Sequence, residues 1–165
     1  LRTILGHPEI QFIWQTGKIY IDEVKAAITS FTGEPMRNVH SPSLPNLYVS
    51  DFIKDMSMAY AASDLVVSRA GAGSISEFCL LGKPVILVPS PNVAEDHQTK
   101  NALALVDKGA AIYVKDADAP TQLLDTALKT VTDEAQLHKL SEHIIRLALP
   151  NSANLIAQEV LKLIE

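Results

Sequence analysis

Ser68-Arg69-Ala70-Gly71-Ala72-Gly73-Ser74-Ile75-Ser76-Glu77 gathers small residues, hydroxyls and one carboxylate where the chain changes its period. Asp64-Leu65-Val66-Val67 before it reads as a buried parallel strand. Phe78-Cys79-Leu80-Leu81 after it reads as the buried face of a short helix closed by Gly82 and Pro84. A strand therefore runs into a turn of small residues, and the turn opens a helix. The small residues from Ala70 to Gly73 let a ligand approach the backbone closely. The helix start offers unpaired N–H groups and the positive end of a dipole, a seat for a phosphate or pyrophosphate. Glu77, one turn in, could accept hydrogen bonds from a ribose diol. This is the chemistry of sugar-nucleotide binding. The same residues also suit a plain helix start, because Ser74-x-x-Glu77 matches a capping box with Ser74 as N-cap. The segment alone leaves both readings open.

Other phosphate and nucleophile motifs are excluded. A dinucleotide fingerprint and a nucleophile elbow would each need glycine where Ser76 stands, and no Gly-Lys-Ser/Thr follows to make a P-loop. A second polar group, Glu95-Asp96-His97-Gln98-Thr99-Lys100-Asn101, opens a later helix. His97 and Asn101 are four apart and share a face, with Gln98 beside them. Three hydrogen-bonding side chains at one helix start suit a hydroxyl-rich ligand, and equally a solvated first turn whose acids favour the dipole. His97 has no second His or Cys at metal-ligand spacing. His7, His40, His138 and His143 are expected to be structural or on the surface, and no Ser/His/Asp arrangement is compelling.

These groups need elements to hold them. Strands are expected at Ile10–Trp14, Leu47–Val49, Leu65–Ser68, Val85–Val88 and Ala111–Val114. Helices are expected over about Tyr20–Phe31, Ile53–Ala62 (with its entry loop), the run to Leu81, Asp96–Lys108, about Pro120–Thr130, about Asp133–Leu147 and Ser152–Ile164, the last capped at Asn151-Ser152. Gly33 to Pro45 reads as a proline-rich loop, and Met56 and Met58 as core filler. Strands separated by helices imply an α/β fold, a doubly wound parallel sheet with crossover helices. Ligands of such sheets gather at the C-terminal strand ends. The Ser68–Glu77 turn and the Pro89–Asn101 loop should therefore face one cleft.

The 165 residues are enough for one domain with a core, and 47% hydrophobic content excludes a disordered chain. A net charge of −5 disfavours nonspecific binding to nucleic acid or to an anionic membrane. Cys79 stands alone, so no disulfide framework is available within the chain, and a reducing compartment is the simplest setting. No run approaches a transmembrane helix in length, and no signal-peptide pattern is visible. The chain does not begin with Met, and Leu1 to Leu5 looks like a helix tail stopped by Gly6 and Pro8. A piece of a longer protein is expected.

Taken in order, Gln15-Thr16-Gly17-Lys18, Asp51-Phe52-Ile53-Lys54-Asp55-Met56, Ser68 to Glu77, Gly82-Lys83-Pro84 and Asp96-His97-Gln98-Thr99-Lys100-Asn101-Ala102 resemble the C-terminal half of the MurG glycosyltransferases. The resemblance runs from about Gln11 to about Val114; no piece is unique, but the ordered set is specific. It implies a GT-B architecture of two Rossmann-like domains, with residues 1–165 as the donor-binding C-terminal domain, truncated at its N-terminus. It implies transfer of N-acetylglucosamine from UDP-GlcNAc to the 4-hydroxyl of MurNAc in lipid I, giving lipid II for peptidoglycan, by direct inversion. By the same resemblance Ile53 lies where a backbone group meets uracil; Ala72, Gly73 and Ser74 lie at the diphosphate and nucleoside; Glu77 lies at the ribose. Gln98 lies at the GlcNAc hydroxyls, with His97 and Asn101 on the sugar side, and Arg69 is grouped with these substrate-binding residues. Gly73 replaces a bulkier residue of some relatives. The family's Gly-Gly-Ser turn and its N-terminal domain, which carries the acceptor site, the base and the membrane-facing patch, fall outside this sequence. No catalytic residue, cofactor, metal ligand or nucleic-acid partner is therefore expected in this chain, and alone it should be inactive. The helix at about 152–164 is expected to pack across to the missing domain, and the intact enzyme to sit peripherally on the cytoplasmic face of the bacterial plasma membrane. Alternatives are another GT-B transferase, such as a UDP-sugar:diacylglycerol glycosyltransferase, and a nucleotide-binding module without chemistry.

Overall fold

A computed structural model describes residues 1–36, 39–91 and 96–163. The chain forms two compact units, Leu1–Ala62 and Ser63–Glu165.

In the first unit, α1 (Arg2–Leu5) leads to β1 (Phe12–Gln15), α2 (Ile21–Thr32), the short β2 (His40–Ser41), β3 (Leu44–Ser50) and α3 (Met56–Ala62). β1 runs parallel to β3, with Phe12 opposite Leu47 and Gln15 opposite Ser50. Ile4, Ile28, Met36, Leu44, Leu47 and Val49 form the core. Buried Asn46 places its Nδ2 within 3.0 Å of the carbonyls of Ile4 and His7 and 3.1 Å of that of Ile10, tying down the α1–β1 turn. The segment expected to be all loop contains a hairpin, because β2 pairs antiparallel with β3. Two residues of β2 are too few to carry an alternating pattern, and the Pro42 and Pro45 signals masked it. Pro45 is tolerated because β3 meets β1 only from Leu47 onward, so its missing N–H is not needed there. Asp55 Oδ1 accepts from Ser57 Oγ at 2.6 Å and from Met58 N–H at 3.0 Å at the start of α3. Those bonds, the Ser57 one foremost, hold the Asp55 carboxyl below its ordinary pKa. Met58 is exposed and Met56 only partly buried, so the pair does not fill a core.

In the second unit, β4 (Val66–Ser68), α4 (Ala72–Leu81), β5 (Val85–Leu87), α5 (His97–Val106) and β6 (Ile112–Tyr113) alternate. A 3-10 turn at Asp116–Asp118 then leads to α6 (Ala119–Val131), α7 (Glu134–Ile145) and α8 (Ser152–Leu161). The sheet order is β4-β5-β6, all parallel. Central β5 is wholly buried, which explains its unbroken apolar run. Ile86, Val88 and Val114 pack with Leu123 and Ala127 of α6. α4 ends on Gly82 at φ 62°, a left-handed cap that favours glycine, and Ser141 Oγ of α7 donates to Gly82 O at 2.7 Å. The predicted α/β architecture with parallel strands and intervening helices is present. α8 is exposed at every described residue, and the expected end of that helix at Ile164 lies outside the described residues. Among the described residues no helix is long and apolar enough to cross a membrane.

Candidate functional site

The site is built at the C-terminal ends of β4 and β5, which are hydrogen-bonded neighbours. Ala70 is fully buried and anchors the turn. Gly71, at φ −69° and ψ 142°, is the N-cap of α4, and no side chain caps that end. The first helical bond runs from Ile75 N–H to Gly71 O at 3.0 Å. The N–H groups of Ala72, Gly73 and Ser74 therefore stand outside the helical ladder at the positive end of the dipole. This corrects the capping-box reading: the box needs Ser74 just outside the helix, whereas α4 starts two residues before it. The small residues, with no branched side chain to resist helical φ and ψ, let the helix begin at Ala72. Ser74 and Glu77 then share a face within the helix, three residues apart, with Ser74 half-buried and Glu77 exposed. A Cβ added at Gly71 or Gly73 would meet nothing within 4 Å, so these glycines leave open space beside the helix start and not a tight packing contact.

α5 supplies the second wall. Asp96 precedes it with φ 55°, the only left-handed non-glycine among the described residues. That strained turn starts the helix at His97, which is exposed. Gln98 Oε1 accepts the Ser90 backbone N–H at 2.9 Å, and Asn101 Nδ2 donates to Ala70 O at 3.2 Å. Because the backbone partners are a pure donor and a pure acceptor, each amide is oriented: Gln98 keeps its Nε2 donor and Asn101 its Oδ1 acceptor for another partner. The Asn101–Ala70 bond joins the two polar segments that the sequence placed at one cleft. Glu95, named with that group, lies outside the described residues.

Arg69, at the end of β4, donates through Nη1 to Val88 O at 3.2 Å, reaches Pro89 O at 3.4 Å, and pairs with the Asp116 carboxylate. Asp116, at the start of the 3-10 turn, and Ser90, between two prolines, were not singled out by the sequence. Ile53 belongs to the first unit, where its N–H donates to Gln15 Oε1 at 2.8 Å. Among the described residues no group of three or more His, Cys, Asp or Glu is arranged to hold a metal.

Residues 2–158 match the model of the glycosyltransferase family 28 C-terminal domain. The whole chain is 67% identical to 42% of a UDP-N-acetylglucosamine--N-acetylmuramyl-(pentapeptide) pyrophosphoryl-undecaprenol N-acetylglucosamine transferase of Bacteroides thetaiotaomicron. A protein of the same name from Cytophaga hutchinsonii is 47% identical over 97% of this chain and 39% of its own length. The crystal structure of Acinetobacter baumannii MurG superposes with a TM-score of 0.75 at 25% identity, covering 98% of this chain and 47% of that one. The chain thus spans about two-fifths of the length of these curated relatives. On this match the chain belongs to the glycosyltransferase family 28 C-terminal domains.

Proposed function

We propose that the chain is the donor-binding half of an inverting transferase that moves GlcNAc from UDP-GlcNAc to the 4-hydroxyl of MurNAc in lipid I, forming lipid II for peptidoglycan. The observation that carries this reading is the set of N–H groups at Ala72, Gly73 and Ser74 outside the helical ladder, in a chain 67% identical along its whole length to a transferase named for that donor and acceptor. The three N–H groups and the dipole of α4 would receive the diphosphate and favour the charge that develops as UDP leaves. Glu77 would take the ribose hydroxyls. The Nε2 donor of Gln98 and the Oδ1 acceptor of Asn101 would meet sugar hydroxyls, with His97 beside them. A backbone group of Ile53 would meet the base on the resemblance alone. The acceptor site and the base would belong to the rest of the longer protein, and so would membrane contact at the cytoplasmic face. The exposed apolar residues Leu155, Ile156, Val160 and Leu163 of the α8 segment suit packing across to that other half.

Calorimetric titration of the chain with UDP, UDP-GlcNAc and UDP-glucose tests the donor assignment. UDP binding with preference for UDP-GlcNAc over UDP-glucose is expected. Equal binding of both sugars would remove the sugar assignment, and no UDP binding would remove the nucleotide site. With UDP-GlcNAc and a lipid I analogue the chain should release no UDP coupled to product. Turnover like that of a two-domain enzyme would place the base and acceptor site within these residues after all.

A further inference from the structure

Arg69 touches the loops that follow all three strands of its sheet. It leaves β4 itself; Val88 and Pro89 follow β5; Asp116 follows β6. Its Nη1 serves two backbone carbonyls and is paired with a carboxylate. Val88 N–H is held by Ser68 O at 2.9 Å, and Ser90 N–H by Gln98 Oε1 at 2.9 Å. The carbonyls of Val88 and Pro89, between those two bonds, are the ones Arg69 engages. The peptide planes of 88–90 are thereby restrained from both sides, and Ser90 in turn fixes the Gln98 amide.

We propose that Arg69 and Asp116 form a positioning pair, which sets residues 88–90 and hence the Gln98 amide for a nucleotide sugar without either residue touching the ligand, in place of the substrate-binding role that the resemblance gives Arg69. The proposal rests on the nucleotide-sugar reading above. Asp116 aligns the guanidinium, whose Nη1 shares its two N–H groups among the carboxylate and the two loop carbonyls; a lysine ammonium stands one bond nearer the backbone and falls short of all three. The pair is partly solvent-exposed, at 56% and 34% for the two side chains, so its effect is local geometry more than global stability. A direct ligand role for Arg69 predicts the opposite sign for Asp116, since removing the carboxylate would release a cation for the diphosphate.

The experiment compares the chain with Asp116→Ala, Asp116→Glu, Arg69→Lys and the Arg69→Lys/Asp116→Ala double variant. Affinities for UDP-GlcNAc come from calorimetry, and amide hydrogen exchange at Ser90 is followed without ligand. Asp116→Ala should weaken UDP-GlcNAc binding about three- to ten-fold and speed exchange at Ser90. Asp116→Glu should restore most of both, Arg69→Lys should resemble Asp116→Ala, and the double variant should be no worse than the weaker single. Unchanged or tighter UDP-GlcNAc binding in Asp116→Ala would overturn the proposal, as would unchanged Ser90 exchange. If the unsubstituted chain binds no UDP-GlcNAc, the nucleotide reading fails by itself, and the ligand-free exchange still decides whether the pair holds the loop.

Discussion

Gln98 Oε1 accepts the backbone N–H of Ser90 at 2.9 Å, so one end of this amide is committed to the loop and the other is left as a donor. Two substitutions separate the roles. Gln98→Glu keeps an acceptor for Ser90 but removes the Nε2 donor, and should weaken UDP-GlcNAc binding while sparing UDP. Gln98→Ala removes both and should weaken UDP-GlcNAc more than UDP. Equal losses for the two ligands in calorimetry would make Gln98 a loop support only.

Asn101 ties α5 to the β4–α4 turn through Ala70 O at 3.2 Å. Asn101→Asp cannot donate to that carbonyl, and Asn101→Ala leaves it unpaired next to a fully buried residue. Each should cost about 1–3 kcal/mol of stability, read as a lower urea midpoint, and Asp should be at least as harmful as Ala. A stable Asn101→Asp variant would show that the bond does not hold the turn.

Glu77 shares a face with Ser74 one turn into α4, too far inside the helix to cap it. Glu77→Ala should therefore leave the N-cap of α4 at Gly71 unchanged. It should weaken UDP binding by the loss of charge-assisted bonds, about 1.5–3 kcal/mol or roughly ten- to a hundred-fold. Unchanged UDP affinity would remove Glu77 from the ribose.

The glycines divide by environment. Gly73→Ala places its Cβ in open space in the first turn of a helix, and should raise stability by about 0.4–1 kcal/mol while keeping UDP affinity within a few-fold. Gly109 sits at φ 64°, and its added Cβ would approach His143 Nδ1 to 2.9 Å. That ring nitrogen also lies 3.1 Å from Lys108 O. Gly109→Ala should thus cost about 1–3 kcal/mol. Thermal melts of the two variants, moving in opposite directions, check both.

Burial pushes the Cys79 thiol above its ordinary pKa. The folded pKa is the higher one, so the stability tied to this group is intact below the unfolded pKa. It declines as pH rises past about 8.5 toward the folded value. Labelling by a thiol reagent at pH 8 should be slow in the native chain and fast in denaturant. Rapid native labelling would contradict the burial.

Local chemistry was legible in the sequence wherever one segment carried its own signal. Val85-Ile86-Leu87 announced a strand buried on both faces, and the small residues after Val66-Val67-Ser68 announced a helix start with room for a ligand. The ordered motifs carried the family, because several short matches in sequence order are far more specific than any one of them. The hairpin at His40–Ser41 was illegible, since two residues hold no period and their pairing depends on β3.

What the sequence determined by itself, then, was the alternation of strands and helices apart from the β2 hairpin, the family, and the two polar segments that the Asn101–Ala70 bond joins. Tertiary structure decided which partners those residues have. Ser74 and Glu77 fit a capping box on paper, and only the starting point of α4 at Ala72 moved Ser74 inside the helix and left three N–H groups outside the ladder. Arg69, 47 positions from Asp116, became its partner because parallel pairing brings the ends of β4, β5 and β6 to one edge. Hydrogen bonds and ion pairs are short-ranged, so a partner distant in sequence becomes knowable only when the sheet has set the distance.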